Sequence, residues 1–223
     1  MKELMRRIRP KLKSIYVKIS APPVPNNAGD REIEYSWIFA NIPNEGGLAL
    51  DLGTGNGYTG LVAARKGYEV LGIDLRDFHF DYIHPKFEFR KEDFFNLKLK
   101  LNSLDLVLNC STIEHVGLKG RYNIKEEQPK GDLEAMELLQ NYLKPGKLML
   151  LTVPVGKDSV FHPYHRVYGS KRLPMLLKNW KIEKEEFWLK NETNQWIQKT
   201  KEEAINIETN RYYYGLGLFV LSA

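Results

Sequence analysis

An α/β fold, with a mostly parallel sheet and helices on both faces, is what this sequence predicts, and three observations predict it. From residue 48 onward short apolar runs alternate with stretches of helical periodicity, the pattern of strands joined by right-handed crossovers. A glycine-rich turn, Gly53-Thr54-Gly55-Asn56-Gly57, stands between the first such run and the first such helix. In open α/β sheets ligands bind there, beyond the carboxyl ends of the strands. A nearly continuous apolar run, Leu148 to Val153, reads as a strand covered on both faces.

The elements follow in order. Leu48 to Leu52 is a buried strand, and Tyr58 to Lys66 a helix that ends at Gly67, a residue suited to the C′ position. Glu69 to Asp74 and Phe87 to Arg90 are the second and third strands, and Leu104 to Asn109 the fourth. The chain between strands two and four is short and leaves little room for full helices. Asp132 to Lys144 is an amphipathic helix closed by Pro145-Gly146, ahead of the fifth strand. Lys171 to Asn179 reads as helical despite Pro174, and Trp180 to Leu189 pairs with Tyr213 to Leu221 as closing strands. The polar stretch from Asn191 to Asn210 is an excursion between them with no assignable chemistry.

Composition narrows the class. The chain has 223 residues, 43% hydrophobic and 27% charged, which excludes a fully disordered protein. No apolar run approaches the ~20 residues of a membrane span, and the basic start is not followed by the apolar region of a secretory leader. A single cysteine, Cys110, excludes a disulfide framework and a cysteine-based zinc site, and no metal is expected. A reduced, cytoplasmic protein is expected.

Charge divides the chain unevenly. Residues 1–20 hold seven basic side chains against Glu3 alone, while the whole chain is +5, so the remainder sums to −1. Leu4, Ile8, Leu12, Ile15 and Ile19 share one helical face, interrupted at Pro10. Residues 1–25 thus read as a basic amphipathic arm with a Pro-rich connector, and 26–223 as the folded domain. Such an arm suits an anionic membrane surface at the inner face or nucleic-acid phosphates, or a helix packed on its own domain.

Two readings of the glycine loop stand side by side. Gly55-Asn56-Gly57-Tyr58-Thr59-Gly60 matches the dinucleotide pattern G-x-G-x-x-G. Asp51 two residues ahead of Gly53, Gly55 and Gly57 resembles motif I of the class I S-adenosylmethionine-dependent methyltransferases. Asp74, closing strand two, serves either cofactor through ribose hydroxyls. Three further segments favour the second reading. Arg90-Lys91-Glu92-Asp93-Phe94 resembles the position where an acid meets the adenine amino group and an apolar neighbour flanks the ring. Leu104 to Asn109 resembles the family's fourth strand, and Leu143-Lys144-Pro145-Gly146 its turn before strand five, with Lys147 in place of a second glycine.

The resemblance covers about residues 30–222 and implies a Rossmann-like, seven-stranded, mostly parallel sheet whose last strand is antiparallel. It implies S-adenosyl-L-methionine as cofactor, held by Arg31, Asp51, Gly53, Thr54, Gly55, Asn56, Gly57, Asp74, Leu75, Asp93, Phe94 and Asn109. Arg31 falls in a segment where relatives place a lid and would meet the methionine carboxylate, or else pair with Glu34 at the surface. Gly29 to Tyr35, Cys110 to Gly117 and His165 to Gly169 further resemble a poorly characterised prokaryotic branch linked to cell-surface polysaccharide formation. That resemblance implies a sugar or glycan-precursor acceptor.

The chemistry expected is methyl transfer to a hydroxyl or carboxyl of a small polar molecule. Asn109 lacks the Pro-Pro-aromatic sequel of amide- and base-nitrogen enzymes, and Cys110 lacks the proline that often precedes a nucleophilic thiolate. Histidine is then the leading proton acceptor. His115, beside Glu114 after strand four, is a general base, an acceptor-positioning group or a packing histidine. The segment Phe161 to Tyr168 supplies His165 as a second catalytic candidate, with His162, Arg166 and Tyr168 as acceptor contacts alongside Glu114; Arg166 suits an anion. An RNA methyltransferase, an NAD-binding oxidoreductase and a non-catalytic cofactor-binding module are the alternatives.

Overall fold

A computed structural model describes residues 25–80, 82, 84–122 and 124–223. The basic arm and nearly all of its connector lie outside the described residues. No described helix is long and apolar enough to cross a membrane.

An eight-stranded mixed sheet organises the chain, in the order β3-β2-β1-β4-β5-β10-β8-β9. The strands β1 (Gly47–Leu52), β2 (Tyr68–Asp74), β3 (Phe87–Lys91), β4 (Leu104–Cys110) and β5 (Leu143–Val155) are mutually parallel. The expected count of seven is corrected to eight. β10 (Gly215–Ser222) runs antiparallel between β5 and β8 (Lys181–Lys190), as the closing pair predicts. The additional strand, β9 (Trp196–Lys199), comes from the polar excursion and pairs antiparallel with β8. A separate hairpin of β6 (Ser159–Phe161) and β7 (His165–Val167) follows β5.

Side-chain alternation along the central strands builds two cores, one on each face. Leu106 and Leu108 of β4 and Leu216 and Leu218 of β10 point to one face. There they meet Trp37 and Ile38 of α1 (Asp30–Asn41) and Ala63 of α2 (Tyr58–Arg65). Val107, Leu151 and Phe219 point to the other, against Met136 and Leu139 of α3 (Gly131–Tyr142). Two short helices, α4 (Arg172–Leu176) and α5 (Lys201–Ile205), add Leu173, Leu176 and Ala204 to that second core. Gly67 sits at φ 103° just past α2, where its lack of a Cβ lets the chain turn back into β2.

Two boundaries move for local reasons. α3 stops at Tyr142 rather than Lys144, because the residue before Pro145 is driven out of helical geometry, and β5 starts at Leu143. Among the described residues there is no helix between β2 and β3, and between β3 and β4 only a single 3-10 turn, Phe94–Asn96.

Candidate functional site

A cavity of about 460 Å³ lies at the carboxyl ends of the parallel strands, a size within the range of small-ligand sites. Its floor is the loop after β1. Gly53, Gly55 and Gly57 adopt φ of 66°, 51° and 75°, the left-handed region that only glycine enters without strain. A Cβ on Gly53 would overlap the Thr112 side chain, whereas one on Gly55 would meet no atom closer than 3.8 Å. The loop therefore packs tightly against the segment after β4 and leaves open space at its middle glycine.

Asp51 holds that loop from beneath. Its carboxylate accepts from the hydroxyls of Thr54 at 2.6 Å and Thr59 at 3.0 Å and from the Gly60 amide at 2.9 Å. Burial pushes its pKa up to about 6 against the opposing pull of those donors. Asp51 is 1% exposed and does not reach the cavity. Asp74, at the end of β2, does reach it. It accepts from the amides of Gly55 at 3.3 Å and Arg76 at 2.9 Å, so the second acid braces the loop from the neighbouring strand. Asp93 faces the cavity one strand further and caps the 3-10 turn by accepting from the Phe95 amide at 3.0 Å.

Of the residues expected at the cofactor, Arg31, Gly53, Thr54, Gly55, Asn56, Asp74, Leu75, Asp93 and Phe94 line the cavity together. Gly57 serves instead as N-cap of α2, and Asn109 is fully buried, its side-chain oxygen 3.3 Å from the Ile113 amide. Arg31 does pair with Glu34, yet not as a surface bridge, because Glu34 is fully buried. Glu34 also accepts from the hydroxyls of Ser111 and Thr152, the latter at 2.7 Å, and so ties α1 to β5 and to the segment after β4.

The acceptor side is built on His115. Its Nδ1 lies 2.6 Å from the Tyr164 carbonyl, which can only accept, so Nδ1 carries the proton and Nε2 is left as an acceptor. Burial, reinforced by the Arg121 charge, pushes its pKa down to about 3 and keeps the ring neutral. Glu114 beside it is 2% exposed, and burial, with Glu34 close by, raises its pKa to about 8. Its Oε2 has no hydrogen-bond partner among the described residues, and its Oε1 is 3.7 Å from His115 Nε2. With Glu114 protonated and His115 neutral, that contact is not an ion pair.

The hairpin residues behave differently from their sequence reading. Arg166 is 1% exposed and donates to the carbonyls of Val116 at 2.5 Å, Gln128 at 3.2 Å and Glu114 at 3.4 Å. Tyr168 donates to Asp132 at 3.0 Å in the buried core beneath. His165 packs its ring 4.9 Å from that of Tyr214, and burial lowers its pKa to about 4. His162 stands at the exposed tip, 4.0 Å from Glu127. None of these four lines the cavity. Among the side chains that do, and that the sequence did not single out, are Arg76, Phe78, Arg121 and Tyr122. The guanidinium of Arg76 lies over the rings of Phe78 at 4.6 Å and Tyr122 at 4.9 Å, and that of Arg121 over Tyr122 at 4.7 Å. An arginine and a tyrosine together, directly after Gly117 and Gly120 and just beyond a parallel strand, were the available signal. Among the described residues no group of three or more His, Cys, Asp or Glu is placed to hold a metal ion.

Comparison with known proteins fits this geometry. Residues 82–213, more than half of the chain, match the model of a family described as "Caenorhabditis protein of unknown function, DUF268". No curated protein matches the sequence. Among solved structures, the 1,6-didemethyltoxoflavin-N1-methyltransferase of Burkholderia thailandensis, bound to 1,6-didemethyltoxoflavin and S-adenosylhomocysteine, is 14% identical with a TM-score of 0.58. That match covers 100% of this chain and 90% of the other. A SAM-dependent methyltransferase from Archaeoglobus fulgidus is 16% identical, with a TM-score of 0.57 over 86% of this chain and 94% of its own. The [4+2]-cyclase SpnF is 17% identical, with a TM-score of 0.52 over 83% and 73%. At these identities the likeness establishes the fold, that of the class I methyltransferases, and the cyclase shows that the fold alone does not fix the reaction.

Proposed function

The chain belongs to the DUF268 family, and we propose that it transfers a methyl group from S-adenosylmethionine to an oxygen of a small polar acceptor. The observation that carries the proposal is one cavity bounded by the left-handed glycine loop of β1 and by Asp74 and Asp93 on the next two strands. These groups fit the cofactor residue by residue. Asp74 would accept from the ribose hydroxyls and Asp93 from the adenine amino group. Leu75 and Phe94 would flank the ring, and Arg31 would pair with the methionine carboxylate.

S-adenosylmethionine, when bound, supplies an electrophilic methyl group on a sulfonium. The protein's own work is to orient the acceptor and exclude water. His115, neutral at its lowered pKa of about 3, is too weak a base to remove a proton early. Its free Nε2 instead accepts a hydrogen bond from an acceptor hydroxyl, aims the oxygen, and takes the proton late, once the forming O–C bond has made that hydroxyl strongly acidic. A carboxylate acceptor would need no base. The resemblance to a polysaccharide-linked branch supports a sugar-type acceptor, and the lone cysteine supports a reducing, cytoplasmic setting.

Calorimetric titration of the full chain with S-adenosylmethionine, S-adenosylhomocysteine and NAD tests the cofactor. Micromolar binding of the sulfonium pair, weakened at least tenfold by Asp74→Ala, is expected. Binding of NAD alone would overturn the proposal.

A further inference from the structure

We infer that the acceptor end of the cavity is an anion site, in which Arg121 grips a carboxylate or phosphate carried by the acceptor; this rests on the methyl-transfer reading of the same cavity. Three arginines line the cavity. Arg31 is matched by Glu34, and Arg76 by Asp74 at 3.3 Å. Among the described residues Arg121 has no carboxylate within ion-pair distance. One terminal nitrogen donates to the Tyr164 carbonyl at 2.6 Å, and Nε and the other terminal nitrogen form no hydrogen bond with a described residue. A partly buried guanidinium without a counter-charge is costly unless a ligand supplies one, and its planar fork suits a two-oxygen anion.

The position of Arg121 is held independently. Its guanidinium lies over the ring of Tyr122, whose backbone sits at φ 54°. Apart from glycine, positive φ occurs among the described residues at three asparagines, at Ser111 and at Tyr122. Asparagine enters that region readily, whereas an aromatic residue does so only when its surroundings impose it. Both exceptions line this cavity. Arg121 also stands 3.3 Å from the His115 ring nitrogen, so an anion on its fork lies beside the group that aims the acceptor. Asp74, Glu92 and Asp93 line the same cavity, and Arg76 is held by Asp74, so Arg121 is the lining arginine left for an anion on the ligand.

The test titrates glucuronate, glucose 6-phosphate and glucose into the full chain, with and without S-adenosylhomocysteine, for the wild type, Arg121→Gln and Arg121→Lys. At least one anionic sugar is expected to bind ten times more tightly than glucose, and the two anions separate a carboxylate from a phosphate preference. Arg121→Gln should abolish that difference, Arg121→Lys should restore it in part, and S-adenosylhomocysteine affinity should stay within twofold. Glucose binding as well as the anions, or anion affinity unchanged in Arg121→Gln, overturns the inference. So does a tenfold loss of S-adenosylhomocysteine affinity in Arg121→Gln, which would assign the residue to the cofactor. Anion binding that depends on Arg121 in a chain that never binds S-adenosylhomocysteine would retain the site and remove the methyl-transfer reading.

Discussion

Glu114→Gln should stabilise the protein, increasingly so as pH rises. Glu114 is 2% exposed, and burial together with Glu34 raises its pKa from 4.5 to about 8. Below pH 4.5 the carboxyl is protonated in both the folded and the unfolded chain, and the substitution changes little. Between pH 4.5 and 8 the unfolded chain ionises while the folded one stays protonated, so wild-type stability falls by about 1.4 kcal/mol per pH unit from this group. The loss is about 3 kcal/mol at pH 7 and levels off near 5 kcal/mol above pH 8. These are upper bounds, because an ionised Glu114 would draw in water or Arg121. Glutamine keeps the shape and the neutral state at every pH. Urea denaturation of both proteins at pH 5, 6, 7 and 8, followed by tryptophan fluorescence, gives the difference curve, in which the titrations shared by both proteins largely cancel. A gap of less than about 1 kcal/mol at pH 5 that widens to several kcal/mol at pH 8 is expected. Parallel curves, or a glutamine variant that is less stable at pH 8, would show that the carboxyl is ionised and paired, and would refute the reasoning.

Gly53→Ala should cost about 2–5 kcal/mol in the same denaturation assay, from a left-handed backbone and an overlap with Thr112. Its S-adenosylhomocysteine affinity should fall as well, because the loop can only relieve that overlap by shifting. Arg166→Met should lower stability by about 3 kcal/mol or more, roughly 6–12 °C in melting temperature, because the buried guanidinium and its bonds to the carbonyls of residues 114, 116 and 128 are lost. S-adenosylhomocysteine affinity measured by calorimetry on the folded variant should stay within a few-fold of wild type; a selective loss of ligand binding at unchanged stability would return Arg166 to the site.

What was legible in the sequence was whatever local geometry determines. Gly67, the glycine loop and the acids that end β2 and follow β3 were readable because chirality and strand periodicity act on neighbours along the chain. β9 was not, since Trp196-Ile197-Gln198-Lys199 is short and half polar, and only its pairing with β8 makes it a strand. The roles of the two arginines were not legible either. Arg166 has the residue type of an anion ligand, but its partners are main-chain carbonyls of residues 114, 116 and 128, which leave no mark in the sequence. Glu34 gave its pairing with Arg31 through helical spacing, yet its burial against Thr152 depends on a contact 118 residues away.

The partners of Arg166 have their physical origin in the segment between β4 and α3. Among its described residues the only regular structure is one 3-10 turn, Ile113–His115, so many of its backbone groups have no helical partner. Buried carbonyls without donors would be costly. Arg166 from β7 supplies donors to three carbonyls of the segment, that of buried Glu114 among them. In the reverse direction Arg121, from the same segment, donates to the Tyr164 carbonyl of the hairpin, and His115 shares that carbonyl. The hairpin and the segment thus clamp each other through one arginine apiece. The lower arginine is 1% exposed, and its hydrogen bonds among the described residues run to carbonyls of the segment. The upper one is half-buried and uses one terminal nitrogen on Tyr164, which leaves donors for a ligand. A wall held this way presents His115 and Arg121 in fixed relation without a helix behind them, the kind of support that a binding site needs from its surroundings.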